Sequence, residues 1–281
     1  MTSTEKNQLQ VTACKVRMGI IESTHAAKCG HPGGSLSAAD MFTYLYSKEL
    51  NVDPKNPKWE DRDRFVLSKG HTAPGLYAAL ALKGFFPVED LLTLRKVGSY
   101  LQGHSNMNSV PGVDMSTGSL GQGISTACGM ALAAKLKGTG NRVYTLLGDG
   151  EIQEGQVWEA CMFASHYKLD NLCVIVDNNG LQIDGNVAEV MSPYPIDEKF
   201  KAFGFDVQCI DGHDFDQIEA AFNQAKTVKG QPCAIIMKTI KGKDVSYMEN
   251  NAGWHGKAPN DAEHVQAIEE LKAILKELEG K

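Results

Sequence analysis

The stretch "LLGDGEIQEG" (146–155) sets Asp149 between two glycines, at the point where an apolar run gives way to a polar one. Thirty residues further on, "DNNG" (177–180) places Asn179 in a second polar turn after a second apolar run. Such a pair suits a hard divalent cation, which takes about six oxygen ligands and commonly fills part of its shell with phosphate oxygens and water. The Asp149 carboxylate, the Asn179 amide oxygen and the backbone carbonyl of Leu181 offer three ligands; two diphosphate oxygens and a water would complete the shell. Gly148 and Gly150 would let a diphosphate approach bare backbone, and a helix over 151–169 would present free N–H groups at its start. Asp-Gly is also an ordinary turn pair. The strand, turn, helix order and a second polar turn one crossover away favour the ligand reading.

Four of the eight histidines sit beside glycine: "CGHPGG" (His31), "SKGHTAP" (His71), "LQGHSN" (His104) and "GWHGK" (His255). Imidazoles donate hydrogen bonds to hydroxyls and phosphates and exchange protons near neutrality, so four in similar loops suit a polyhydroxylated, phosphorylated ligand. No H-E-x-x-H spacing points to zinc. "STGSLGQG" (116–123) is another glycine-rich turn, by itself a weak ligand signal. Neither G-x-G-x-x-G after a strand nor G-x-x-x-x-G-K-[ST] occurs, so nicotinamide and P-loop chemistries lack their fingerprints.

Holding these turns together requires a sheet. Apolar runs at 64–70, 142–150, 171–179, 205–212 and 232–240 alternate with helical patterns, which predicts an α/β fold. The sheet should be doubly wound and mostly parallel, with helices on both faces. Helices are expected over 35–50, opening on a serine cap, and over 119–138, 151–169 and 264–278. If 142–150 and 171–179 are neighbouring strands, Asp149 and Asn179 both lie at the carboxyl edge, where open α/β sheets bind ligands.

The 281 residues, 42% hydrophobic, suffice for one substantial core. A net charge of −6 without a basic block argues against nucleic-acid and membrane partners. Seven scattered cysteines with no C-x-x-C pair read as reduced thiols, and "MTSTEKNQLQ" lacks the features of a signal peptide, so the cytoplasm is expected.

Taken with "GHPGGSLSAAD", "DRFVLSKGHTAPGLY" and "SYMENNAGWHGK", these motifs make the chain similar to the thiamine diphosphate enzymes, and among them to the transketolase family. The resemblance implies that Asp149, Asn179 and the Leu181 carbonyl hold Mg²⁺ or Ca²⁺. It implies thiamine diphosphate contacts from Gly150, Asn179, the Gly118–Ser119–Leu120 turn, His71, His255 and Lys241. His31, His104 and His255 would face the sugar, and Glu154 would join a carboxylate network at a subunit interface. Gly34 departs from members that carry a side chain there.

Family members also join this domain to pyrimidine-binding and C-terminal domains, which are absent from 1–281; a glutamate of the pyrimidine domain activates the cofactor. The expectation is therefore a single diphosphate-binding domain acting as the N-terminal subunit of a split transketolase. It would pair with a separate C-terminal subunit, in an α2β2 assembly, and transfer a two-carbon ketol unit between sugar phosphates. Alternatives are the same assembly acting on an unusual catabolic ketose phosphate, a deoxyxylulose-phosphate-synthase-like reaction, or a non-catalytic regulatory module.

Overall fold

The five apolar runs singled out above each become a strand in the computed structural model, which describes residues 1–280. In chain order the strands are β1 (Arg64–Leu67), β2 (Val143–Gly148), β3 (Leu172–Asn178), β4 (Leu181–Gln182), β5 (Gly185–Asn186), β6 (Asp206–Asp211) and β7 (Cys233–Lys238). All but β4 and β5 form one parallel sheet in the order β1-β2-β3-β7-β6, while β4 and β5 make a two-stranded antiparallel ribbon.

Alternation along the strands feeds two cores. Phe65, Leu67, Tyr144, Leu146, Cys173 and Ile175 enter one, and Val66, Val143, Leu147, Leu172, Val174 and Val176 the other. The first core is closed by the helices α1 (Ser3–Ala27), α2 (Pro32–Ser37), α3 (Ala39–Tyr44), α4 (Ala73–Lys83), α9 (Phe215–Thr227) and α10 (Asp261–Glu279). The second is closed by α5 (Gly123–Lys137), α6 (Gly155–His166) and α8 (Ile196–Ala202), of which α5 and α6 supply most of the buried side chains, while α7 (Val187–Met191) lies outside it. The expected α/β architecture with both faces covered is thus present. No described helix is long and apolar enough to cross a membrane.

Several expected boundaries are corrected. The helix expected from Ser35 starts at Pro32, because proline is preset for a first helical position; the Ser35 hydroxyl donates to the His31 carbonyl (2.8 Å) and caps nothing. It also breaks at Ala38 and ends in a π-turn over Leu45–Glu49. The helix expected from 119 begins at Gly123, since Gly118 and Gly121 adopt φ of 157° and 79° and turn the chain first. The helix expected from 151 opens as a 3₁₀ turn, Glu151–Gln153, and becomes α-helical only at Gly155. Helix α1 was not anticipated, although its capping box of Thr2 and Glu5 is legible in "MTSTE". Of the seven free thiols, Cys209 is exposed on edge strand β6 and Cys29 is half-buried; the other five are buried.

Two glycines of α5 make opposite predictions. A Cβ on Gly123 would lie 2.6 Å from the Ser68 Cα, whereas one on Gly129 meets nothing within 4 Å. Gly123→Ala is expected to destabilise by about 2 kcal/mol through overpacking. Gly129→Ala should stabilise by about 0.5–1 kcal/mol through helix propensity and lost unfolded-state entropy. Urea denaturation of both variants checks the contrast; equal signs would contradict it.

Candidate functional site

Strands β2 and β3 lie in register with Gly148 opposite Asp177, so the turns that follow them meet at the carboxyl edge of the sheet. Asp149 is buried there. Its carboxylate accepts from the backbone N–H of Gly150 (2.8 Å) and of Gly180 (2.5 Å), which ties the two turns together. Burial, then the nearby Asp177 carboxylate, pushes Asp149 up to about 6. Asp149 forms no ion pair with any described residue.

Asp177 lies one shell deeper and is neutralised. Its carboxylate accepts from the Lys69 ammonium, the Ser37 hydroxyl (2.6 Å), the Thr239 hydroxyl and the Asn179 amide (3.0 Å). Burial would raise this carboxyl, but the Lys69 ammonium and the hydrogen bonds outweigh it and hold it low. Asn179 directs its amide oxygen to the Leu181 N–H (3.1 Å), and the Leu181 carbonyl accepts from the Lys241 ammonium (3.1 Å).

Lys241 is 2% exposed, so it is no solvated loop lysine. Burial, then the Lys69 charge, lowers its ammonium to about 8, and its other close partner is His255 Nδ1 at 3.1 Å. His255 therefore presents Nδ1 as acceptor and carries its proton on Nε2.

The four glycine-flanked histidines converge. The His31 ring packs edge-on against His71 (5.2 Å between centroids) and His255 (5.5 Å) and lies 6.2 Å from His104; His71 and His255 stack at 5.0 Å. Burial lowers His31 to about 4 and His255 to about 3, and takes His71 well below its usual value. Burial, then the Arg95 charge, lowers His104 as well. The His31 Nδ1 is buried without a hydrogen-bond partner, a polar atom that a polar ligand would satisfy.

The His31 and His255 imidazoles stay neutral through the physiological range. An unfolded imidazole binds a proton below about 6.5. His31 and His255 therefore contribute stability that is complete above that pH and is lost as pH falls through their folded values of about 4 and about 3. Asp149 acts oppositely: its contribution is complete below the ordinary carboxylate value and is lost as pH rises through about 6. The His31 ring proton resonances are expected to stay flat from pH 8 to about 5. A midpoint near 6.5 in an NMR titration would contradict this.

His71, Leu120, Asp149, Gly150, Glu154, Asn179, Leu181, Lys241 and His255 line one cavity of about 270 Å³. Gly118 lies behind His104, where a Cβ would meet that ring at 3.3 Å, and Ser119 stays exposed in the turn. Gly34 borders the same cavity; a Cβ there would press on the Thr72 methyl at 3.1 Å. Glu154 is exposed, its Cβ stem against Gly121.

The free helical N–H groups expected after Asp149 are corrected. Because the α-helix starts only at Gly155, the buried Glu151 carboxylate folds back and accepts from Gly148 N–H (2.9 Å), Gly121 N–H (3.0 Å) and the Ser68 hydroxyl (2.5 Å). Sequence reasoning missed Glu151, Lys69 and Asp177. A charged residue directly ending an apolar strand, as in "FVLSKG" and "VIVDNN", was the available signal. It also missed Arg95, which packs on Gly103 and reaches toward His31 and His104. A larger cavity of about 510 Å³ between α1 and α4 is mostly apolar and gathers no comparable polar set.

A parallel α/β sheet with a buried carboxylate that lacks an ion-pair partner and glycine turns at its carboxyl edge is the arrangement of an α/β ligand-binding domain. Residues 8–274 match the family described as "Transketolase, thiamine diphosphate binding domain". The chain belongs to the transketolase family. It is 46% identical to the 6-deoxy-6-sulfo-D-fructose transketolase subunit SqwG of Clostridium sp. (strain MSTE9), across 99% of this chain and 98% of that one. It is 41% identical to an apulose-4-phosphate transketolase subunit of Phocaeicola vulgatus, across 96% of each. The crystal structure of Campylobacter jejuni transketolase superposes with a TM-score of 0.88 at 34% identity; the match covers 96% of this chain and 45% of that one. The chain thus spans nearly the whole of the two named subunits and under half of that transketolase chain.

Proposed function

We propose that this chain is the thiamine diphosphate-binding subunit of a two-component transketolase of the cytoplasm. It is one diphosphate-binding domain over 1–281 that works with a separate pyrimidine-binding and C-terminal subunit in an α2β2 assembly. The observation that carries the reading is the Asp149 carboxylate, buried and without a cationic partner among the described residues, between glycine turns in a chain that matches two named transketolase subunits end to end. An all-oxygen set with one uncompensated negative charge suits Mg²⁺ or Ca²⁺.

Asp149, the Asn179 amide oxygen and the Leu181 carbonyl would hold that cation. Gly150 and the Gly118–Ser119–Leu120 turn would give the cofactor bare backbone, with Lys241 and His71 beside its charged end. When bound, thiamine diphosphate supplies a nucleophilic carbon that accepts the two-carbon ketol unit. His31, His104 and His255, held neutral by burial, would donate hydrogen bonds to the sugar carbonyl and hydroxyls and hold or pass protons there. Glu154, exposed beside the cavity, would meet carboxylates of a neighbouring subunit.

The two relatives matched end to end are named for 6-deoxy-6-sulfo-D-fructose and apulose 4-phosphate. This favours a donor other than a common pentose phosphate as the physiological sugar. The test is reconstitution with the companion subunit, using a panel of ketose donors. The expected result is ketol transfer that requires both chains and stops on chelation of the metal. Turnover of xylulose 5-phosphate and ribose 5-phosphate by this chain alone would overturn the two-component reading.

A further inference from the structure

Outside the residues that line the cavity, the turn "DGHD" (211–214) between β6 and α9 is locked to the segment that presents Lys241. Gly212 N–H donates to the Lys238 carbonyl (2.8 Å), and a Cβ on Gly212 would lie 2.6 Å from the Thr239 methyl, so the two segments touch. The His213 Nε2 accepts from the Ile240 backbone N–H at 2.9 Å, one residue before Lys241. Its Nδ1 stands 2.7 Å from the Asp40 carboxylate, which a buried, bidentate Arg17 grips at 2.6 and 3.1 Å. Arg17 Nε also lies 3.2 Å from Asp244, in the same loop as Lys241.

The hydrogen bonds fix the tautomer. Because the Ile240 N–H can only donate, Nε2 must offer its lone pair; Nδ1 then carries the proton and donates to Asp40. Arg17 and Asp40 thereby set which nitrogen faces Ile240. Other bonds hold the rest of the segment: Thr239 N–H donates to the Asn178 carbonyl (3.2 Å) and Gly242 N–H to the Gly33 carbonyl (3.0 Å). Asn250 N–H donates to the Lys241 carbonyl (2.9 Å), and among the described residues His213 alone offers the Ile240 N–H a side-chain acceptor.

We propose that His213, oriented by Asp40 and Arg17, is a positioning residue that fixes the Thr239–Lys241 backbone and so aims the Lys241 ammonium into the diphosphate cavity. The aiming rests on the functional reading above; the backbone clamp does not. Two near-isosteres separate the two ring nitrogens. His213→Gln can place an amide oxygen where Nε2 stood and keep the Ile240 acceptor, whereas His213→Asn can keep the donor to Asp40 but loses that acceptor.

In the full chain, hydrogen exchange at the Ile240 amide should accelerate at least about tenfold in His213→Asn and stay within about threefold of the parent in His213→Gln. Calorimetry of the chain reconstituted with its companion subunit, with thiamine diphosphate and Mg²⁺, should show about tenfold weaker binding for His213→Asn and recovery in His213→Gln. His213→Ala, which likewise removes the Ile240 acceptor, should behave like His213→Asn and serves if that variant does not fold. Equal exchange at Ile240 in the Asn and Gln variants would overturn the clamp. Faster exchange at Ile240 with unchanged thiamine diphosphate affinity would overturn the aiming of Lys241. A parent complex with the companion subunit that binds no thiamine diphosphate would count against the functional reading, while the exchange contrast still decides the clamp.

Discussion

Asp149→Asn is expected to weaken metal-dependent thiamine diphosphate binding by at least about 100-fold, since it removes the one charged ligand proposed for the cation. The same substitution should leave the melting temperature of the ligand-free chain within about 3 °C of the parent. Two effects oppose each other in the ligand-free protein. The amide removes a carboxylate that burial and Asp177 push up to about 6, a change that stabilises. It also leaves one of the Gly150 and Gly180 N–H groups without its acceptor, a change that costs about 1–3 kcal/mol. Calorimetric titration and a thermal melt of the same sample check the pair. A large drop in melting temperature with binding intact would mean that Asp149 serves the fold rather than the ligand.

The second large effect lies one shell deeper and concerns stability. Lys69 and Asp177 are both about 2% exposed, and the ammonium also donates to the Gly34 carbonyl at 3.2 Å. Lys69→Met leaves Asp177 ionised in a buried setting with only neutral donors, a loss of about 3–5 kcal/mol. For a chain of this length that corresponds to a melting temperature lower by roughly 10 °C. Adding Asp177→Asn should restore at least half of the loss, because the orphaned charge disappears with it. If the double variant is less stable than Lys69→Met, the pair is not coupled in this way. Both predictions have one root: adjacent buried carboxylates, one with an ammonium from the fold and one without.

Much of this arrangement is legible in the sequence. The five strands were marked by apolar runs, and the 30-residue interval between Asp149 and Asn179 matched one strand-to-strand crossover, so both turns fell at the same sheet edge. Glycine placement marked the turns after β2 and β3 and the turn at 116–123. Helix starts were less legible. Ser35 looked like a cap but lies inside a helix begun by Pro32, and the 151–169 pattern concealed the 3₁₀ turn that lets Glu151 reach back to Gly148. Hydrophobic periodicity reports which face is buried and is nearly silent on where the first hydrogen bond forms.

The sequence by itself therefore determined the layer architecture, the edge at which ligand-binding turns gather, the resemblance to the family, and Asp149, Asn179 and the four histidines as candidates. Those properties depend on local spacing and residue type. Only the tertiary structure decided which charges are neutralised and which titrations are displaced. Lys69 meets Asp177 across 108 positions of chain, and His213 meets Asp40 across 173. Desolvation, the largest cause of the low values at His31, His255 and Lys241, is set by everything that encloses a group. No spacing in a linear sequence encodes that enclosure, which arises only when distant segments close over one edge of the sheet.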